Sequence, residues 1–142
     1  MTFVLDNSIA VRWLLNDRDL NTQDYARKVL ERLIDGEDAI VPNLWALEAA
    51  NVISKGIRKG NITQAEASQF IALLSELDIQ PDPDTHNHAM GDTLALAQQY
   101  GLSSYDASYL ELALRKGVRL ATVDKDLAQA ARKAGGLKAL MN

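Results

Sequence analysis

The segment Phe3-Val4-Leu5-Asp6-Asn7-Ser8-Ile9-Ala10-Val11-Arg12-Trp13-Leu14-Leu15 changes character twice within thirteen residues. Three apolar residues suit a short buried strand, Asp6, Asn7 and Ser8 are all good helix-capping types, and the apolar run that follows suits a helix. The chain therefore opens strand–turn–helix, with an aspartate at the carboxyl end of the strand. The same grammar returns near the other end, where Val118-Arg119-Leu120-Ala121-Thr122-Val123 reads as a strand and Asp124 starts a helix ending near Gly135 and Gly136.

Between these two units, residues 22–34 carry Tyr25, Val29, Leu30 and Leu33 on one helical stripe, with Gly36 just past the end. Ala39-Ile40-Val41 forms a second strand that Pro42 stops, and Asn43 is placed to cap a helix reaching about residue 57. Thr63-x-x-Glu66 is a capping box for a helix to about residue 74. A third strand is expected at residues 78–80, ended by Pro81-x-Pro83, and then one long helix over residues 84–100. Ser103-x-x-Asp106 opens another helix to Lys116 and Gly117, and a last short strand is expected at residues 138–140. Strands separated by helices imply parallel crossovers and an α/β three-layer sandwich, a parallel sheet of four or five short strands with helices on both faces. With 142 residues and neither repeat nor linker, residues 1–142 read as a single domain.

Composition narrows the chemistry. The chain has no cysteine, which removes disulfides, thiolate nucleophiles and Cys-based zinc or iron–sulfur sites. The longest uncharged stretch, residues 93–105, is half polar and far from the roughly 20 apolar residues of a spanning helix, and the N-terminus lacks the basic flank of a signal peptide. A soluble, cytoplasmic protein with no membrane partner is expected. A net charge of −4 argues against gripping nucleic acid by bulk electrostatics, but not against an acidic pit loaded with metal. With two histidines and no cysteine, hard cations held by carboxylates are the metal chemistry on offer. There is neither a Walker phosphate loop nor a G-x-S-x-G elbow.

Four acids stand out, and each has an ordinary explanation beside the functional one. Asp6 and Asp124 suit helix caps, yet both follow strands, where open α/β sheets place ligands. Asp106 completes the Ser103 capping motif. Glu48 lies in Leu44-Trp45-Ala46-Leu47-Glu48-Ala49-Ala50-Asn51-Val52-Ile53, apolar on almost every side, and no Lys or Arg stands three or four residues away. A buried carboxylate needs a partner, here a basic side chain or a metal ion. Taken together, such acids repel one another unless a divalent cation neutralises them.

Val4-Leu5-Asp6-Asn7-Ser8, Trp45-Ala46-Leu47-Glu48-Ala49-Ala50-Asn51, the Gly101-Leu102-Ser103-Ser104-Tyr105-Asp106-Ala107 block and Leu120-Ala121-Thr122-Val123-Asp124-Lys125-Asp126-Leu127 resemble, in order and spacing, the motifs of PIN-domain ribonucleases, and most of all the VapC-type toxins of bacterial type II toxin–antitoxin pairs. The resemblance runs over about residues 2–140. It implies that Asp6, Glu48, Asp106 and Asp124 meet in one catalytic pocket. Asp6, Asp106 and Asp124 would bind Mg²⁺, with Mn²⁺ as a substitute, and Glu48 would bind a second ion or position the attacking water. It further implies RNA hydrolysis by a metal-activated water, leaving a 3′-hydroxyl and a 5′-phosphate, a homodimer, and a small antitoxin partner that covers the pocket. Ser8 and Thr122, otherwise ordinary capping residues, would hydrogen-bond the carboxylates or water, and Asn51 would face the same pocket; Asp126 reads first as a first-turn acid favourable to the helix dipole, with standing in for Asp124 as the alternative.

Other residues read more plainly. Asp92 is an exposed helix acid, and His86-Asn87-His88 is surface polarity, since residues two apart on a helix do not share a face. Lys55, Arg58, Lys59, Arg115, Lys116 and Arg119 suit helix C-termini, with RNA phosphate binding as the functional alternative. Trp13 and Trp45 belong to the core or an interface. The rival function is a non-catalytic module, either PIN-like and RNA-holding or receiver-like and Mg²⁺-binding. Four intact acids argue against the first, and the missing phosphoacceptor-plus-lysine pattern against the second.

Overall fold

The structure, a computed structural model, describes residues 1–16 and 18–135. Its sheet has four parallel strands in the order β3-β2-β1-β4: β1 Thr2–Leu5, β2 Asp38–Pro42, β3 Ile79–Asp82 and β4 Leu120–Ala121. Parallel neighbours need crossovers, and helices supply each one. Helices α1 (Asn7–Leu14) and α2 (Leu20–Ile34) link β1 to β2, and α3 (Trp45–Arg58) with α4 (Gln64–Glu76) link β2 to β3. The return to β4 runs through α5 (Thr85–His88), a wider helical turn at Ala89–Thr93, α6 (Leu94–Tyr100) and α7 (Ser104–Lys116), and α8 (Lys125–Gly135) follows. This is the α/β sandwich that the sequence predicts. The expected strand at residues 138–140 lies outside the described residues.

Two consequences of the topology bear on function. The chain steps outward from β1 through β2 to β3, then returns to the opposite side of β1 for β4. Strand order thus reverses between β1 and β4, and the loops after those strands diverge over a crevice. The backbone pairing there continues past the strands, since the N–H of Asp6 donates to the carbonyl of Ala121 at 3.0 Å. The second consequence is burial: Phe3, Val4 and Leu5 are wholly inaccessible, and residues 107–113 of α7, which packs on β1, β2 and β4, are buried. Strand and helix residues such as Tyr109, Leu110, Leu112, Ile9 and Leu127 fuse into one core.

Local differences from expectation have physical reasons. Pro81 does not end β3 but sits within it, opposite Val41, because β3 is an edge strand whose missing N–H costs the ladder nothing. Asn43 caps no helix: α3 starts at Trp45 after Leu44 with no side-chain cap, while the Asn43 N–H donates to Thr85 Oγ1 at 3.0 Å. α2 begins earlier than expected because Asp19 caps it, accepting from the N–H groups of Asn21 and Thr22. The helix expected over residues 84–100 is interrupted at Gly91, whose φ/ψ of −111°/−107° is not helical. Of residues 118–123, only Leu120 and Ala121 pair as strand. The Thr63–Glu66 capping box forms as expected, and Ser103 Oγ accepts from the Asp106 N–H at 3.0 Å.

Candidate active site at the β1/β4 crevice

Asp6 is the first residue after β1, and its side chain does not cap α1. It is 5% exposed, and its Oδ2 accepts two hydroxyl protons, from Ser8 at 2.6 Å and from Thr122 at 2.7 Å. Each hydroxyl has one proton, so with both spent on Asp6 the two oxygens, 3.3 Å apart, are left as acceptors. They take consecutive backbone amides of the turn after β4: Val123 N–H to Ser8 Oγ at 3.2 Å and Asp124 N–H to Thr122 Oγ1 at 3.0 Å. A satisfied network thus ties the Asp6 carboxylate to the turn that carries Asp124. It leaves Asp6 Oδ1 without a hydrogen-bond donor among the described residues. Asp124 itself caps α8, accepting from the Leu127 N–H at 2.9 Å through Oδ1.

Glu48 projects from the first turn of α3 and is half-buried. Its hydrogen-bond partner is not a basic side chain but a phenol: Tyr109 Oη donates to Glu48 Oε1 at 2.7 Å. Tyr109 is fully buried on α7, one turn after Asp106. That role was not read from the sequence, and the only available signal was the spacing of three from Asp106, which puts both side chains on one helix face. Asp106 is also half-buried; its backbone N–H donates to Ser103 Oγ in the helix cap, and Ser103 is the one side chain that lowers its carboxyl.

The acids feel one another. Burial pushes the Asp6 carboxyl above the ordinary range, the Ser8 and Thr122 hydroxyls pull it back, and the charges of Asp106 and Asp124 push it up again. Glu48 is raised by burial, lowered by Tyr109, and raised by the charges of Asp6 and Asp106. Asp106 is raised by burial and by Asp124, lowered by its Ser103 contact, and raised by Asp126. No lysine or arginine contributes to any of these three shifts. The four predicted acids therefore share one electrostatic neighbourhood, in which no Lys or Arg of the described residues is among the causes of these shifts.

That donor set was tested against a metal. Among the described residues no three His, Cys, Asp or Glu side chains stand as a ready-made cage. Mg²⁺ does not require one, because it keeps several waters and is held through one or two carboxylates. An undonated Asp6 oxygen and uncompensated neighbouring carboxylates fit such an ion.

Residues outside the crevice sort differently. Asp92, Asn51 and Asp126 are exposed, and Asp126 reaches the site through its effect on Asp106. His86 is exposed, but His88 Nδ1 lies 3.6 Å from Glu111 Oε1 and is more than surface polarity. Arg115 is engaged by two acids of the fold. It donates to Asp82 Oδ2 at 2.5 Å and to Glu111 Oε1 at 2.6 Å, both nearly inaccessible acids. Burial raises the Asp82 carboxyl, but bonds from Arg115, the Asp84 N–H and the Thr85 hydroxyl outweigh it and leave it below the ordinary range. Trp13 is a core residue whose Nε1 donates to the Ala26 carbonyl at 2.8 Å.

A parallel sheet whose strand order reverses over a carboxylate-lined crevice defines a class, and the PIN domain model matches residues 3–133: the chain belongs to the PIN domain family. Among curated proteins it is similar to Ribonuclease VapC3 of Pyrobaculum aerophilum, 34% identical over 87 residues, which is 61% of this chain and 66% of that protein. It is also similar to Exonuclease VapC9 of the same organism, 33% identical over 92 residues, 64% of this chain and 65% of that protein. The matched segments thus span slightly less than two thirds of these relatives. Two solved structures share the fold: PAE2754 from Pyrobaculum aerophilum (TM-score 0.66, 24% identity, 98% of this chain and 92% of that one) and VapBC2 from Rickettsia felis bound to a DNA fragment from their promoter (TM-score 0.64, 18% identity, 98% and 97%).

Proposed function

We propose that this chain is a Mg²⁺-dependent endoribonuclease of the VapC type, with Asp6, Glu48, Asp106 and Asp124 as its catalytic residues. The observation that carries the reading is the group of acids at the β1/β4 crevice, of which Asp6, Glu48 and Asp106 are raised by burial and by the charges of neighbouring acids, with no Lys or Arg of the described residues among the causes. Relatives named ribonuclease and exonuclease support a nuclease of this family. Asp6, Asp106 and Asp124 hold the ion, Mg²⁺ or Mn²⁺. A hard divalent cation so held lowers the pKa of a coordinated water and offsets charge on a phosphodiester. The chain supplies the rest. The Ser8 and Thr122 hydroxyls fix the Asp6 carboxylate against the turn bearing Asp124, so that two ligands keep their relative positions. Glu48, with Oε1 engaged by Tyr109, keeps Oε2 to orient the attacking water at the phosphorus.

The same reading carries a cytoplasmic homodimer and a small antitoxin protein as partner. Apolar side chains left exposed on α3 and α4, Leu47 and Ile71, suit such contacts. Among the described residues no helix is long and apolar enough to cross a membrane.

The test is cleavage of total cellular RNA by antitoxin-free protein with Mg²⁺ or Mn²⁺, with chelator, and with Asp6→Asn or Asp106→Asn. Discrete internal cuts that vanish with chelator and in both variants are expected. Progressive shortening from one end would make the chain an exonuclease. Folded, metal-binding protein that leaves RNA intact would make it a non-catalytic module.

A further inference from the structure

Tyr109 stands where three of the acid-bearing elements meet. Its ring is fully buried on α7, one turn beyond Asp106, and its hydroxyl donates to Glu48 on α3 at 2.7 Å. The backbone N–H of Asn7, the residue after Asp6, faces the same phenol oxygen and stabilises negative charge on it. The phenol thus ties the first turn of α3 to the helix that carries Asp106. Burial and the charges of Asp6 and Glu48 drive the ionisation of this phenol far above the ordinary range, so it keeps the proton that it donates to Glu48.

From this geometry we infer that Tyr109 is a positioning residue for Glu48, a rigid spacer that sets Glu48 relative to Asp6 and Asp106 while holding its Oε1. Two side-chain dihedrals of Glu48 would otherwise be free in a half-buried setting, and mutual repulsion with Asp6 and Asp106 would turn the carboxylate out toward water. Donation from Tyr109 opposes that motion and leaves Oε2 directed by a fixed Oε1. The core explanation for a buried tyrosine accounts for the ring and not for a hydroxyl spent on a half-buried acid of another helix. The inference rests on the nuclease reading, since it assigns Tyr109 a part in that reaction.

The experiment compares Tyr109→Phe with the parent and with Leu110→Val, a core change on the same helix that removes no polar group. Cleavage of a defined RNA is resolved into kcat and KM, and a double-mutant cycle of Tyr109→Phe with Glu48→Ala is read in denaturant stability, which needs no activity. Tyr109→Phe should lower kcat about 10–100-fold, the range for groups that orient a site ligand, with KM within about twofold. Leu110→Val should lower stability and leave kcat within about twofold. The stability cycle should be non-additive. An unchanged kcat alongside a non-additive cycle would overturn the positioning role and leave a structural hydrogen bond. An additive cycle would overturn it by removing the bond itself while leaving the nuclease reading intact. A parent chain that cuts no RNA, with the cycle still non-additive, would instead bring down the nuclease reading and the catalytic part of this inference with it.

Discussion

Thr122→Val removes one hydroxyl and keeps the shape of the side chain, so its effect can be worked from the network around Asp6. The lost bond is a donation to a buried carboxylate at 2.7 Å, and hydrogen bonds to charged groups contribute about 1.5–3 kcal/mol. The Asp124 N–H, which donates to the same hydroxyl at 3.0 Å, loses its acceptor, for about 1 kcal/mol at a half-buried position. The new buried methyl returns somewhat under about 1 kcal/mol. The net is a destabilisation of about 2–3 kcal/mol, or about 8–12 °C in Tm at about 4 °C per kcal/mol for a chain of this size. Denaturant unfolding of metal-free protein at neutral pH measures it. In the Asp6→Asn background the acceptor is neutral, so the hydroxyl's contribution should fall to about 0.5–1.5 kcal/mol. RNA cleavage by Thr122→Val should drop about 10–100-fold, as the Asp6 carboxylate loses one of its two fixed donors. Stability within about 0.5 kcal/mol of the parent, or the same loss in both backgrounds, would refute the reasoning.

Two further outcomes follow from the charges. Asp6, Glu48 and Asp106 have raised folded-state values, so the folded chain keeps protons where the unfolded chain, at ordinary values of 3.8 for Asp and 4.5 for Glu, has lost them. Unfolding then releases protons, and metal-free stability should rise as pH falls from 7 through the raised values toward those ordinary ones. Asp82, lowered in the fold, contributes stability above 3.8 that is lost only below it, so the two windows do not cancel. Saturating Mn²⁺ should erase the gain by holding the acids ionised; Tm values that fall steadily on acidification without metal would contradict this account. Arg115→Ala takes the guanidinium from two nearly inaccessible acids, leaving Asp82 to the Asp84 N–H and Thr85 hydroxyl and Glu111 to His88, and should cost about 3 kcal/mol without weakening Mn²⁺ binding. Calorimetric unfolding and Mn²⁺ titration check both halves, and a loss under about 1 kcal/mol would show the network to be solvent-screened.

What the sequence made legible was periodic and local. Strand–turn–helix units at Phe3–Leu15 and after Leu120 announce a parallel sheet, because a strand of a few apolar residues followed by a cap and a helix has few other places to go. The same local reading puts Asp6 and Asp124 at strand ends, but it does not tell cap from ligand. In the structure Asp124 does cap, whereas Asp6 takes both its donors from side chains, Ser8 two residues on and Thr122 far along the chain. Glu48 was legible as a buried acid in need of a partner, yet the partner is 61 residues away and uncharged, so no rule about neighbouring lysines finds it. The Arg115 network was hidden for the same reason. Asp82 sits between two prolines that look like a strand's end, and only the sheet order, which puts β3 at an edge, explains why the strand runs through Pro81.

The two acid clusters of this chain treat buried carboxylates in opposite ways. At Asp82 and Glu111 a guanidinium bonds both acids, and Asp82 stays below the ordinary range despite its burial. At the crevice the acids receive hydroxyls and a phenol, groups that fix a carboxylate's direction without supplying a charge, and all three resolved shifts stay upward. Directional donors with the counter-charge left out hold the acids in place while leaving their repulsion to be relieved by something that binds. A cation added by mutation should therefore mimic the missing charge: Ser8→Lys would stabilise the metal-free fold if the ammonium reaches Asp6 and Asp124, and would abolish Mn²⁺ binding by occupying its place. Stabilisation with Mn²⁺ affinity intact would mean that the repulsion and the ion belong to different parts of the crevice.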